Sequence, residues 1–390
     1  MTEWKEYKLG DLTIDGKGSY GIAASAIEFD ASKYTYLRIT DINDDGTINK
    51  NGLKSVDDVN ASNYLLKPND IVFARTGASV GRSYFYDGKD GEFVYAGFLI
   101  KYSIDPNKVN PKILKYYTHS QSYYDWIVSV DNGATRGNIN AQTYASMPIM
   151  LPERKRQDEI VSILSSLDDK IDLLHRENAT LEAMAETLFR QWFIEEANGD
   201  DISLGEVVKT TSGGTPSRKK EEYYCNGNVK WVKSKELHHS YILETEEKIT
   251  EDAVAYSSAK LLPENSVLIA MYGATVGEYG ILAEPMTCNQ AVCALIPNEN
   301  YPYTYLYLWA KYMQGEFINL ACGAAQQNIS QELIKQQYVS NDLKQISDFH
   351  ILVAPYMEKM KVNQEMIKTL NQMRDGLLPK LMNREVLVYG

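Results

Sequence analysis

The chain has 390 residues, 44% hydrophobic and 24% charged, which excludes wholesale disorder or a fibrous repeat and leaves room for two globular units. A formal net charge of −12 argues against binding nucleic acid through an overall basic surface, so such contact needs cations gathered on one face or supplied by a partner. No apolar run approaches the roughly 20 residues of a membrane-spanning helix, and Met1 to Leu12 lack the basic-then-apolar pattern of an export signal; a cytoplasmic protein with no membrane contact is expected.

Residues 1–152 form a first globular segment. After Leu9-Gly10-Asp11-Leu12, short β-branched and aromatic runs such as Asp70–Ala74 and Glu92–Tyr95 alternate with Gly, Asn and Asp clusters, the grammar of strands and turns. Arg75-Thr76-Gly77-Ala78-Ser79-Val80-Gly81-Arg82 follows the first run. Its small residues allow close backbone approach, and its hydroxyls and guanidiniums can hold phosphates or a guanine edge. Arg75, Thr76, Gly77, Ser79 and Arg82 are therefore candidate DNA contacts, against the plainer reading of a tight turn with solvated arginines. A short helix is expected from Pro111 to Ser120. Beyond it, Gly133–Ile139 adds Thr135, Arg136 and Asn138, including side-chain types that pair with guanine or adenine in the major groove.

Residues 153–195 differ in kind. Ile160, Ile163 or Leu164, Leu167, Ile171, Leu174, Asn178, Leu181, Ala185 and Leu188 are spaced alternately three and four apart, the heptad signature of a helix packed on another helix. No Pro or Gly interrupts Arg154 to Phe193. A helix of about 40 residues would be roughly 60 Å long. Asn178 is a polar residue of the kind that fixes register. The competing reading is a helix lying on the core of its own domain.

Residues 196–345 repeat the first segment's grammar after Leu204-Gly205-Glu206-Val207. Two basic and aromatic stretches, Ser212–Lys220 and Lys230–Lys235, make Arg218, Lys219, Lys233 and Lys235 candidate phosphate contacts, against a flexible solvated loop. Ser266–Ala270 reads as a strand. The loop after it, Met271-Tyr272-Gly273-Ala274-Thr275-Val276-Gly277-Glu278, keeps the glycines of the first copy and loses its cations, with Tyr272 and Thr275 as candidate contacts. A helix from Tyr303 to Gln314 and then Gln326, Gln327 and Asn328 complete the second set. Residues 346–390 carry a second seam helix, from about Tyr356 to Met382, through Met360, Asn363, Ile367, Leu370, Arg374, Leu377 and Leu381, with Gly376 and Pro379 weakening its end.

The landmarks of the two halves recur in one order at offsets of 189–196 residues, far too long for a solenoid repeat and diagnostic of a duplicated domain. The expected architecture is α+β: two duplicated domains with two long antiparallel coiled-coil helices, paired through Ile160, Leu167, Ile171, Leu174, Leu181 and Leu188 on one side and Met360, Ile367, Leu370 and Leu377 on the other. Catalytic chemistry is not expected. Gly16-Lys17-Gly18 lacks Walker A spacing, and the Rossmann, HExxH and Asn-Pro-Pro-aromatic methyltransferase signatures are missing, as is any nucleophile motif beside a histidine. Cys225, Cys288, Cys293 and Cys322 form no metal-spaced set and read as buried thiols, with no metal or bound cofactor expected.

The ordered duplicate set resembles the specificity subunit of Type I restriction-modification systems. The resemblance is carried by the Leu-Gly-[Asp/Glu] openings, Gly213-Gly214-Thr215-Pro216-Ser217, the Gly-Ala-[Ser/Thr]-Val-Gly loops, and Leu151-Pro152-Glu153 running into Gln157-Asp158-Glu159-Ile160. In the second copy the entrance to the helix is replaced by Phe349–Tyr356. The resemblance implies two target-recognition domains, each reading half of a split double-stranded DNA site. It also implies two adenine-N6 methyltransferase subunits docked on the helices and ATP-dependent translocase/endonuclease subunits, with S-adenosylmethionine, ATP and Mg2+ used by those partners. The helices then act as a ruler, their span of roughly 60 Å setting an upper bound of about 18 base pairs between outer contacts. Two other readings stand beside it: a stand-alone bivalent architectural or regulatory DNA-binding protein, and an enzyme whose duplicated lobes form a cleft.

Overall fold

A computed structural model describes residues 4–131, 138–196, 200–322 and 328–382. The chain divides into two compact units, Met1–Lys170 with Leu370–Gly390, and Ile171–Thr369.

In the first unit the strand Lys5–Lys8 pairs antiparallel with Pro148–Leu151, so the start and end of the globular segment are tied together. Ser19–Tyr20, Leu99–Ser103, Asp70–Ala74 and Ser83–Tyr86 form one four-stranded sheet in that order. A second sheet is ordered Ala26–Ile27, Lys54–Val56, Tyr34–Leu37 and Phe93–Tyr95. The run Asp70–Ala74 is buried at every position because its sheet is covered on both faces: Ile71 and Phe73 enter one core, Val72 and Ala74 another. The expected helix at Pro111 is present as Lys112–Tyr117, followed by a second, Gln121–Asp131.

The second unit repeats the plan. Asp201–Ser203 pairs antiparallel with Tyr338–Ser340. Val267–Ala270 sits in the middle of a five-stranded sheet, sending Val267 and Ile269 to one core and Leu268 and Ala270 to another. The helix expected from Tyr303 runs to Cys322. Burial raises the thiols of Cys288 and Cys293 to about 12, whereas Cys225 and Cys322 are exposed, which corrects the expectation of four buried cysteines.

The first long helix spans Arg154–Arg190 and ends in a π-helical turn, Gln191–Glu195. The second spans Leu343–Met382, starting earlier than its spacing implied and continuing past Gly376 and Pro379, which were expected to weaken its end. Pro355, Gly376 and Pro379 all lie on its exposed side. A proline there loses one backbone bond, at roughly 3 kcal/mol, while the opposite face buries Ile346, Phe349, Val353 and Met357 in the core of the second unit.

Within each unit the helices run antiparallel. In the second, Asn178 meets Asn363 while, further along, Phe189 and Phe193 meet Phe349. In the first, Asp168 meets Arg374, and Ile160 and Leu164 share a core with Leu378 and Leu381. Ile160, Ile171, Leu174, Met360 and Ile367 are buried, while Leu167, Leu181, Leu188, Leu370 and Leu377 are half-buried. The outer parts of the seam also pack on the domain cores, so the two readings of the apolar stripe both hold in part: Ile160, Val161 and Leu164 lie with Tyr116, Met147 and Ile149. The polar layer is fully hydrogen-bonded to its neighbours on the donor side. Asn363 Nδ2 donates to Asn178 Oδ1 (2.8 Å) and Glu177 Oε2 (2.9 Å), and Asn178 Nδ2 donates to the Met360 carbonyl (3.4 Å).

Candidate nucleic-acid interface

Both glycine loops are built on the same main-chain frame. In the first copy the Ala74 amide donates to the Arg82 carbonyl (2.8 Å), the Gly81 amide to the Ala74 carbonyl (3.2 Å) and the Val80 amide to the Gly77 carbonyl (3.1 Å). In the second, Ala270 donates to Glu278 (2.8 Å), Gly277 to Ala270 (3.1 Å) and Val276 to Gly273 (3.1 Å). Gly77 and Gly273 sit at φ of +72° and +68°, the left-handed region that side chains disfavour, and open space surrounds both. They are required for the turn itself rather than for close approach. Each loop is tied by an antiparallel bridge to the segment after the second motif, Thr76 to Asn138 and Tyr272 to Asn328.

The frame brings Arg75, Thr76, Gly77 and Asn138 together in the first unit, with Gly77 exposed and Ser79 buried. Arg75 donates to Asn138 Oδ1 from Nε (3.4 Å) and Nη2 (3.3 Å). Arg82 points elsewhere: its Nε donates to Asp44 Oδ1 (2.6 Å) and its Nη1 to the Ile42 carbonyl (3.1 Å). In the second unit Tyr272 is 44% exposed, and the Thr275 hydroxyl turns back to the Tyr272 carbonyl (3.1 Å). Asn328 is half-buried. Thr135, Arg136, Gln326 and Gln327 lie outside the described residues.

The basic stretches of the second unit are not a flexible solvated loop. A Cβ on Gly213 would fall 2.1 Å from the Cys288 carbonyl oxygen, and the Trp231 indole donates to the Gly214 carbonyl (3.0 Å), so this backbone is packed against its neighbours. Arg218 lies 4.3 Å from the Tyr224 ring centroid and donates to Glu247 Oε2 (2.7 Å). Lys233 donates to Glu247 Oε1, and Lys235 pairs with Glu246 (2.7 Å). Lys219 is exposed and makes no ion pair among the described residues. Arg218 first, and then Lys233, hold the Glu247 carboxyl down to about 2. Three of these four cations are thus already matched by carboxylates, and phosphates would have to compete for them.

Sequence reasoning missed the acids, because Glu246 and Glu247 are distant in sequence from Arg218. It also missed Tyr20, whose ring centroid lies 4.9 Å from the Arg75 guanidinium carbon. Asp168 was missed as well. Burial pushes its carboxyl up, but Lys115 (2.7 Å), the Tyr116 hydroxyl (2.9 Å) and Arg374 (3.3 Å) outweigh this and hold it below the usual carboxylate range. Among the described residues no group of three or more His, Cys, Asp or Glu is placed to hold a metal ion, and no helix is long and apolar enough to cross a membrane.

Comparison with known proteins matches residues 1–183 and 198–341 to the Type I restriction modification DNA specificity domain. The specificity subunit of the Type I restriction enzyme HindI from Haemophilus influenzae is 23% identical over 472 aligned residues, covering 99% of this chain and 100% of that protein. The MjaIX specificity subunit of Methanocaldococcus jannaschii is 25% identical, covering 73% of this chain and 71% of its own. Among solved structures, the S subunit of a Type I restriction-modification system from M. genitalium superposes with a TM-score of 0.61 at 16% identity, covering 98% of this chain and 96% of that one, a likeness of fold.

The depressed Glu247 carboxyl gives a pH dependence of defined sign. A folded-state pKa below the ordinary 4.5 contributes stability that is present above that value and lost as pH falls toward 2. Replacing Glu247→Gln is expected to lower the unfolding midpoint near neutral pH, with the gap to wild type closing between about pH 4.5 and 2. Thermal unfolding of both proteins across that range checks this, and a gap that stays constant contradicts it.

Proposed function

The chain belongs to the Type I restriction-modification DNA specificity family, and from that premise we propose that each globular segment reads one half of a bipartite duplex site. The chain is a non-catalytic subunit. The observation that carries the reading is one backbone frame used twice with different side chains: Arg75 and Thr76 in one copy stand where Met271 and Tyr272 stand in the other, each loop bridged to an asparagine, Asn138 or Asn328. Such a pair is suited to reading two unlike half-sites. Thr135, Arg136, Gln326 and Gln327, which precede Asn138 and Asn328 in the chain, are proposed as further base contacts on residue type.

The long helices act, in this proposal, as a ruler for the unread gap and as the docking surface for two adenine-N6 methyltransferase subunits in the cytoplasm. Leu173, Met184, Val362, Met366 and Met373 are exposed on them and open to contact by such partners. Base flipping and methyl transfer from S-adenosylmethionine belong to those partners. ATP and Mg2+ serve the translocase/endonuclease subunits. With a net charge of −12, the partners also supply much of the phosphate neutralisation.

Reconstitution tests this. The purified chain alone is expected to leave DNA unmethylated and uncut, and addition of a methyltransferase partner to produce adenine methylation at a split sequence. Sequence-specific binding that no methyltransferase joins or alters would favour a stand-alone bivalent DNA-binding protein. In the same complex, four residues inserted after Leu174 lengthen the helix by roughly 6 Å and keep its stripe nearly in phase. The gap between half-sites is then expected to change while both half-site sequences persist. Altered bases with an unaltered gap would contradict the ruler.

A further inference from the structure

Arg75 is fixed from several sides. Its amide donates to the Phe98 carbonyl (3.1 Å), and its carbonyl accepts from the Ile139 amide (2.9 Å), so the main chain is held before and after the side chain leaves it. The guanidinium lies against Tyr20, 4.9 Å from the ring centroid, and that ring is itself anchored where the Ala141 amide donates to the Tyr20 hydroxyl (3.1 Å). Asn138 Oδ1 accepts from Nε and Nη2, along one edge of the planar group. A guanidinium carries five N–H donors in a fixed plane. With the Nε side held by Asn138, the far end offers parallel donors from Nη1 and Nη2, matched in spacing to the O6 and N7 acceptors of guanine. A cation whose plane is already set loses less freedom on binding.

The second copy keeps the main chain and discards the device. Met271 makes the corresponding bonds, its amide to the Ala291 carbonyl (2.8 Å) and its carbonyl from the Ile329 amide (2.9 Å), but its side chain is buried. Tyr20, which pairs with Ile100 in the sheet, is matched by Ser212, which pairs with Cys293, and the Ser212 hydroxyl donates to Gln331 Oε1 (2.7 Å). A buried thioether and a serine provide neither fork nor platform.

We propose that Tyr20 and Asn138 hold Arg75 as a preformed two-donor fork that reads one guanine in the half-site of the first domain, and that the second domain has no such reader at this place. The proposal rests on the reading of the chain as a DNA specificity subunit. Arg75 is the base-contacting residue, and Tyr20 and Asn138 are positioning residues.

The test is selection from a random duplex library by the full chain assembled with its methyltransferase partner, comparing wild type with Arg75→Ala, Arg75→Lys, Tyr20→Leu and Tyr20→Phe. Wild type is expected to select a split sequence with a guanine in one half. Arg75→Ala should reduce preference for that base by about tenfold to a hundredfold, with Arg75→Lys failing to restore it. Tyr20→Leu should weaken the same preference about two- to fivefold, and Tyr20→Phe should retain most of it. The other half-site, unchanged throughout, reports that the variants fold. Arg75→Ala that weakens all sequences alike and flattens the salt dependence by about one charge would identify a phosphate contact and overturn the proposal, as would no change at all. A wild-type complex that selects no sequence would instead contradict the specificity-subunit reading, and the proposal with it.

Discussion

The bond from the Ala74 amide to the Arg82 carbonyl, repeated from Ala270 to Glu278, closes a loop whose left-handed backbone at Gly77 and Gly273 favours glycine. Because that closure is made by main-chain atoms, the side chains projecting from it are free to differ. Arg75 and Met271 occupy one place in this frame, as do Thr76 and Tyr272, Arg82 and Glu278. A fold whose reading positions are independent of what holds them in place can hold two specificities in one chain.

The electrostatics qualify the simplest view of a DNA-binding surface. Arg82, Arg218, Lys233 and Lys235 each have a carboxylate partner within their own unit. Exposed pairs of this kind contribute little to stability, about 0–1 kcal/mol, but they orient the cations and make any phosphate compete with an acid. In an acidic chain this biases contact toward geometry, with preset donors such as Arg75, and leaves bulk attraction to the partners. Asp168 does a related job in the first unit, where one half-buried carboxylate joins Lys115 and Tyr116 of the domain to Arg374 of the second long helix.

The duplication, the mixed fold and the two long helices were legible in the sequence because each rests on local pattern: strand runs bounded by turn residues, and an apolar stripe of constant spacing. The start of the second helix was not. Pro355 reads as a boundary in isolation, yet its exposed position costs one hydrogen bond while Phe349, Val353 and Met357 on the other face are buried. The neutralising acids and the Tyr20 platform were equally hidden, since Glu247 meets Arg218 across 29 residues of chain, and Tyr20 meets Arg75 only once the chain is folded. Candidate contacts could thus be named by residue type, but which of them is held ready and which is already occupied is a property of the tertiary structure.

The central claim is that each domain carries the information for its own half-site. The most direct measurement is to replace residues from about Tyr7 to Met150 with the matching segment of a relative that reads a different sequence, and to map methylated adenines in a host expressing the hybrid with its methyltransferase. The account predicts that one half-site changes to that of the donor while the other half-site and the gap stay as they were. A hybrid that alters both half-sites, or neither, would contradict it.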